Sequence, residues 1–129
     1  MKASSSTILR VGVGITFLWI GILIYRAPDD WAALIQPWAA HLIPGSMRAA
    51  MLQTAVLDIV IGLLLVIGMW TWLGALLASL HWIVVLITVG ITEITSRDIG
   101  LLAASIALML EYPLSWNWIK NVLVYKRTL

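Results

Sequence analysis

The stretch that decides the fold is Ala49–Ile91, AAMLQTAVLDIVIGLLLVIGMWTWLGALLASLHWIVVLITVGI. Two runs of about 20 mostly apolar residues are separated only by Met69-Trp70-Thr71-Trp72. A helix needs ~20 residues to cross the ~30 Å hydrocarbon core, so each run is long enough to span it. The pair reads as a transmembrane hairpin, with spans at about 49–69 and 72–91. Asp58 lies 12 residues before Trp70, and His81 lies 10 residues after Thr71. At a rise of about 1.5 Å per residue their depths differ by only ~3 Å. Both therefore fall near the bilayer centre, where an ionisable side chain is costly and marks a functional or pairing role.

Composition agrees with a membrane protein. Of 129 residues, 62% are hydrophobic and only 11% charged, and the mean hydropathy is +1.01. A soluble domain carries about 25% charged residues, so a water-soluble core is excluded. The absence of cysteine rules out dithiol chemistry, thiolate metal sites and disulfides within this chain. Lys and Arg outnumber acids 8 to 6 without a basic cluster, so no nucleic-acid partner is expected. Trp31, Trp38, Trp70, Trp72, Trp116 and Trp118 stand at expected span ends, as an aromatic belt requires. Trp19 and Trp82 lie inside spans.

Outward from the hairpin, a first span is expected at about 8–25. Arg10, Gly14, Phe17 and Gly21 share one of its faces, and the glycines let a neighbouring helix approach. Lys2 before an apolar run imitates a signal peptide. The run ends in Tyr25-Arg26-Ala27-Pro28 without a small-residue cleavage site, so the span is expected to be retained. A helix at about 30–42, apolar along Trp31, Leu34, Ile35, Trp38 and Leu42, reads as interfacial, bent or split at Pro37. A shorter fourth span is expected at about 97–112, then a second interfacial helix at about 115–123 and a basic tail.

The fold class is thus an all-α membrane protein, a four-transmembrane-helix antiparallel bundle with short interfacial helices in one domain. Lys2, Arg10, Lys120, Lys126 and Arg127 fall on one side, against Arg26, Arg48 and Arg97 on the other. That bias puts both termini in the cytoplasm, in a cell inner membrane.

Three motifs resemble the DoxX family of small four-span membrane proteins. The segment Leu9-Arg10-Val11-Gly12-Val13-Gly14-Ile15-Thr16-Phe17-Leu18-Trp19-Ile20-Gly21 is similar to the family's opening span. Asp58-Ile59-Val60-Ile61-Gly62-Leu63-Leu64-Leu65-Val66-Ile67-Gly68 resembles its second span, with Asp58 where Glu is common. Arg97-Asp98-Ile99-Gly100-Leu101-Leu102-Ala103-Ala104 resembles the opening of its fourth span. His81 matches no motif of the family. The resemblance implies a membrane subunit associated with an oxidoreductase complex, with a quinone as the cofactor it would meet and other membrane subunits as partners.

Each site residue has two readings. Asp58 with His81 is either a proton-handling pair beside a quinone-like substrate or a hydrogen bond joining spans 2 and 3. Glu93, Arg97 and Asp98 either bind a substrate, with Arg97 holding an anion, or satisfy a helix start. Arg10 and Glu111 are expected to pair across a seam between spans 1 and 4. His41, Met47 and Met51 offer soft ligands, but their spacing crosses a Pro-Gly turn and no metal is expected. For function, an oxidoreductase subunit contributing to a quinone site competes with a non-catalytic scaffold of a larger membrane complex. A permease lacks the broken-helix pair of that class.

Overall fold

The computed structural model describes residues 2–113. The second interfacial helix expected at 115–123 and the basic tail lie outside them. The described residues form six helices and no strand: α1 (Ala3–Arg26), α2 (Pro28–Ala32), α3 (Pro37–Ala40), α4 (Met47–Ile67), α5 (Thr71–Thr88) and α6 (Ser96–Glu111). Three of them, α1, α4 and α5, are long and apolar enough to cross a membrane. Their outward faces carry Ile15, Trp19, Val56, Ile67, Leu80 and Val84, all exposed, as a surface meeting lipid tails does.

Helix boundaries follow local chemistry. Ser46 caps α4 by accepting a hydrogen bond from the Ala49 amide, 3.1 Å. Gly68 ends it in the left-handed region at φ 81°, a conformation glycine adopts without strain. The helix expected at 30–42, bent or split at Pro37, is two short ones, and Pro37 starts the second.

The closest seam lies between α1 and α4, which run antiparallel. A Cβ built on Gly62 would lie 2.8 Å from the Gly14 carbonyl oxygen, and one on Gly21 would lie 3.0 Å from that of Ala55. Backbone therefore meets backbone along this seam. Arg10 closes one end of it by donating to the carbonyls of Leu65 and Val66. These belong to the last turn of α4, whose carbonyls have no helical donor and favour a cation. Where Arg10 is expected to face Glu111 across spans 1 and 4, the structure thus gives its guanidinium to α4, the nearer supply of unsatisfied acceptors.

The second close pair is α5 with α6, joined by the turn from Gly90 to Thr95. Tyr112, just past α6, donates its hydroxyl to Ser6 Oγ at 3.1 Å, so α6 ends beside the start of α1. At the opposite end α2 and α3 fold over the helices. Gln36 holds them there: its amide donates to the Thr88 carbonyl at 2.9 Å and its side chain to that of Val89 at 3.1 Å. Trp31, Ala32 and Ile35 pack on Ile24, Met51 and Ala55 beneath. Arg48 and Asp29 add an exposed ion pair at 2.5 Å.

Candidate functional site

The α1–α4 seam and the start of the α4–α5 hairpin place Asp58. Gly21 lets α1 come within 3.1 Å of Asp58 Cβ, measured to a Cβ built on the glycine, so the carboxyl is sealed from that side. Asp58 is 0% exposed. His81 meets it from α5, its Nε2 standing 3.3 Å from Asp58 Oδ1. The depth arithmetic from the sequence thus ends in a contact. Its geometry is not that of a hydrogen bond, and neither carboxyl oxygen has a hydrogen-bond partner among the described residues.

Aromatic rings fix the imidazole. Phe17 of α1 meets His81 edge-on with centroids 5.5 Å apart, and Trp82 meets it at 5.6 Å. Phe17 and Trp82 contact each other at 4.9 Å. Phe17 is fully buried and Trp82 is 3% exposed. Sequence reasoning passed over Trp82. Its signal was its position, away from the span ends where the other tryptophans of the hairpin stand and directly next to His81.

A cavity of about 290 Å³ begins at His81 and Trp82 and reaches Arg97 and Asp98 at the start of α6. Its walls are mainly aliphatic, from Ile20 and Ile24 of α1, Met51 of α4 and Val85 of α5, and Trp31 and Ile35 roof it. One residue of the first expected pair, His81, and two of the second group, Arg97 and Asp98, thus line one chamber. That volume stands at the small end of the ~300–1,000 Å³ typical of ligand sites. A second hollow, of about 620 Å³, lies along α1 and α6 and is lined by Thr16, Trp19, Leu23 and Gly100. Ile20, Trp31 and Arg97 line both, so they partition the chamber from the lipid-facing side.

Asp98 and Arg97 occupy unlike environments. The Arg97 side chain is 62% exposed and that of Asp98 only 6%, with Nε 3.7 Å from Oδ1. That Oδ1 is buried without a hydrogen-bond partner. The buried polar group at this end is therefore the acid, and Arg97 is a rim residue. Glu93 does not join them. It is exposed and lines a separate hollow with Leu34, Val89 and Thr92. The Thr95 hydroxyl donates to the Gly90 carbonyl and accepts from the Thr92 amide, which turns the loop so that Glu93 leaves the chamber. His41 is exposed beyond α3, whereas Met51 is buried beneath α2.

Chemically, the chamber offers an imidazole in its wall with a carboxyl directly behind. That order suits relay of a proton between a bound molecule and Asp58, because imidazole both accepts and donates one. No family model matches this chain, and no curated protein or solved structure matches it either.

Proposed function

We propose that this chain is a small integral membrane subunit of an oxidoreductase complex, built on the DoxX plan, and that its chamber takes the ring of a quinone. The observation that carries this reading is the apolar cavity ending on His81 with Asp58 buried behind it. A quinone ring suits such walls, and its carbonyl oxygens suit a donor such as imidazole. A quinone accepts two electrons and two protons on reduction. The electrons come from a redox centre on a partner subunit, since the sequence carries no soluble electron-carrier motif. This chain's residues bind and orient: aliphatic walls hold the ring, Phe17 and Trp82 fix the imidazole, and Asp58 with His81 delivers one of the two protons, the second entering at the other ring oxygen from the complex.

In the same reading the chain crosses four times with both termini in the cytoplasm, and α2 and α3 lie at the outer surface. The bond from Tyr112 to Ser6 supports α6 as the fourth crossing, since it brings the end of this 16-residue helix level with the start of α1. The competing scaffold reading draws on the α1–α4 seam, which is closed along its length by backbone contact. Solubilisation in a mild detergent, then identification of what co-purifies, tests the proposal. It predicts a stoichiometric lipid-soluble quinone and a redox-active partner subunit. A partner without any quinone would favour the scaffold.

A further inference from the structure

The larger hollow, of about 620 Å³, has a charged end and an apolar body. Arg97, at the start of α6, stands at the charged end. Leu23, Trp19 and Ile15 carry one wall toward the middle of α1, and Gly100 and Leu101 of α6 form the other. From Leu23 back to Ile15 is eight residues of helix, roughly 12 Å at about 1.5 Å per residue. One leaflet of the ~30 Å hydrocarbon core is about 15 Å deep. The hollow thus has nearly the length of one leaflet, with its cation at the end away from the bilayer centre. Ile15 and Trp19 are exposed, so the hollow is open on its lipid side. Trp19 lies inside a span rather than in the aromatic belt, and this wall is where it stands.

The Arg97 guanidinium has donors to spare. Its Nε stands 3.7 Å from Asp98 Oδ1, longer than a hydrogen bond, and its side chain makes no hydrogen bond among the described residues. Arginine stays charged in a protein, and its planar fork matches the two free oxygens of a phosphodiester. We propose that this hollow binds one phospholipid with an anionic headgroup, its phosphate on Arg97 and one acyl chain between Trp19 and Gly100. An anionic headgroup is favoured over a zwitterionic one, because choline brings a second cation to the arginine. The site stands apart from the quinone reading, since Ile15, Trp19 and Gly100 line this hollow and not the chamber.

The test uses the whole protein in vesicles of equal parts phosphatidylglycerol and phosphatidylcholine with identical chains. After release into a mild detergent, the retained lipid is identified by native mass spectrometry. Wild type is expected to keep one phospholipid, enriched about fivefold in phosphatidylglycerol, the effect of one basic residue at an anionic surface. Arg97→Gln is expected to keep a lipid but lose the enrichment. Gly100→Leu is expected to lose the lipid and keep the fold, because a Cβ at this position meets nothing within 4 Å and the longer side chain occupies the hollow. Arg48→Gln removes a cation that Asp29 already pairs, and is expected to change nothing. No retained lipid in wild type, or equal retention of the two headgroups, overturns the proposal. So does an Arg48→Gln loss as large as that of Arg97→Gln, which would assign the enrichment to net charge. Should Gly100→Leu fail to fold, the comparison of Arg97→Gln with Arg48→Gln still decides.

Discussion

Replacing Gly62 by alanine tests the packing that seals Asp58. The new Cβ would lie 2.6 Å from Leu18 Cγ and 2.8 Å from both the Leu18 amide nitrogen and the Gly14 carbonyl oxygen. Carbon atoms pack best at about 3.5–4.0 Å, so α1 must retreat by roughly 1 Å. Two of the three atoms are backbone and cannot rotate away. The retreat also loosens the contact of Gly14 with Val66 and that of Gly21 with Ala55. Overpacking costs about 1–3 kcal/mol, and a clash with backbone belongs at the upper end. About 3 kcal/mol shifts the folding equilibrium by roughly 100-fold. Gly100→Ala is the control, because its Cβ meets nothing within 4 Å. Alanine is better than glycine by about 0.5–1 kcal/mol inside a helix, so the control should be neutral or slightly more stable. Titration with a denaturing detergent, followed by tryptophan fluorescence, measures both variants. A Gly62→Ala protein within about 0.5 kcal/mol of wild type, as an ordinary surface change would be, refutes the description of the seam.

Arg10→Met removes the donors to Leu65 and Val66 while keeping the apolar stem. It should cost about 1.5–3 kcal/mol by the same titration, and Arg10→Lys should recover part of that loss. Topology is open to a clean test because the chain has no native cysteine. With single cysteines at Ser4 and Leu42, an impermeant thiol reagent applied to intact cells should label position 42 only. Leu42 is the better outer position, being 74% exposed, whereas Gly45 has φ 78° and resists a side chain. Labelling at position 4 alone would reverse the orientation.

Much of the site was legible before the structure. Asp58 and His81 meet because counting from a tight turn measures depth in any hairpin, and a hairpin keeps its two arms adjacent. Gly14 and Gly21 were legible as surfaces of close approach, since glycine on one helix face has that use. Their pairing was not. A stripe of small residues does not name its partner: α1 packs most closely on α4, which takes Arg10, while it also meets α6. The chamber itself was hidden. It exists because α2 and α3 fold back over one end of the helices, and two bonds from Gln36 to residues more than 50 positions away hold them there. Gly90 matters for the same reason, since a Cβ there would lie 2.5 Å from Gln36 Nε2. Local pattern carries no trace of such a latch. Nor did charge alone reveal that Asp98 would be buried while Arg97, its neighbour, stayed exposed.

The central claim, that Asp58 and His81 handle protons for a bound quinone, is tested most directly by Asp58→Asn in the purified complex. Asparagine preserves the size of a side chain that is 0% exposed, but it cannot ionise. Asp58→Leu, alongside, removes polarity altogether. Loss of a positioned acid or base typically costs about 10²–10⁴-fold in rate, so quinone turnover by the Asn variant should fall at least about 100-fold. The subunit should still co-purify with its partners, and Asp58→Leu should be equally inactive. Full turnover in the Asn variant, with loss of assembly confined to the Leu variant, would contradict the account and leave Asp58 a structural residue of a scaffold.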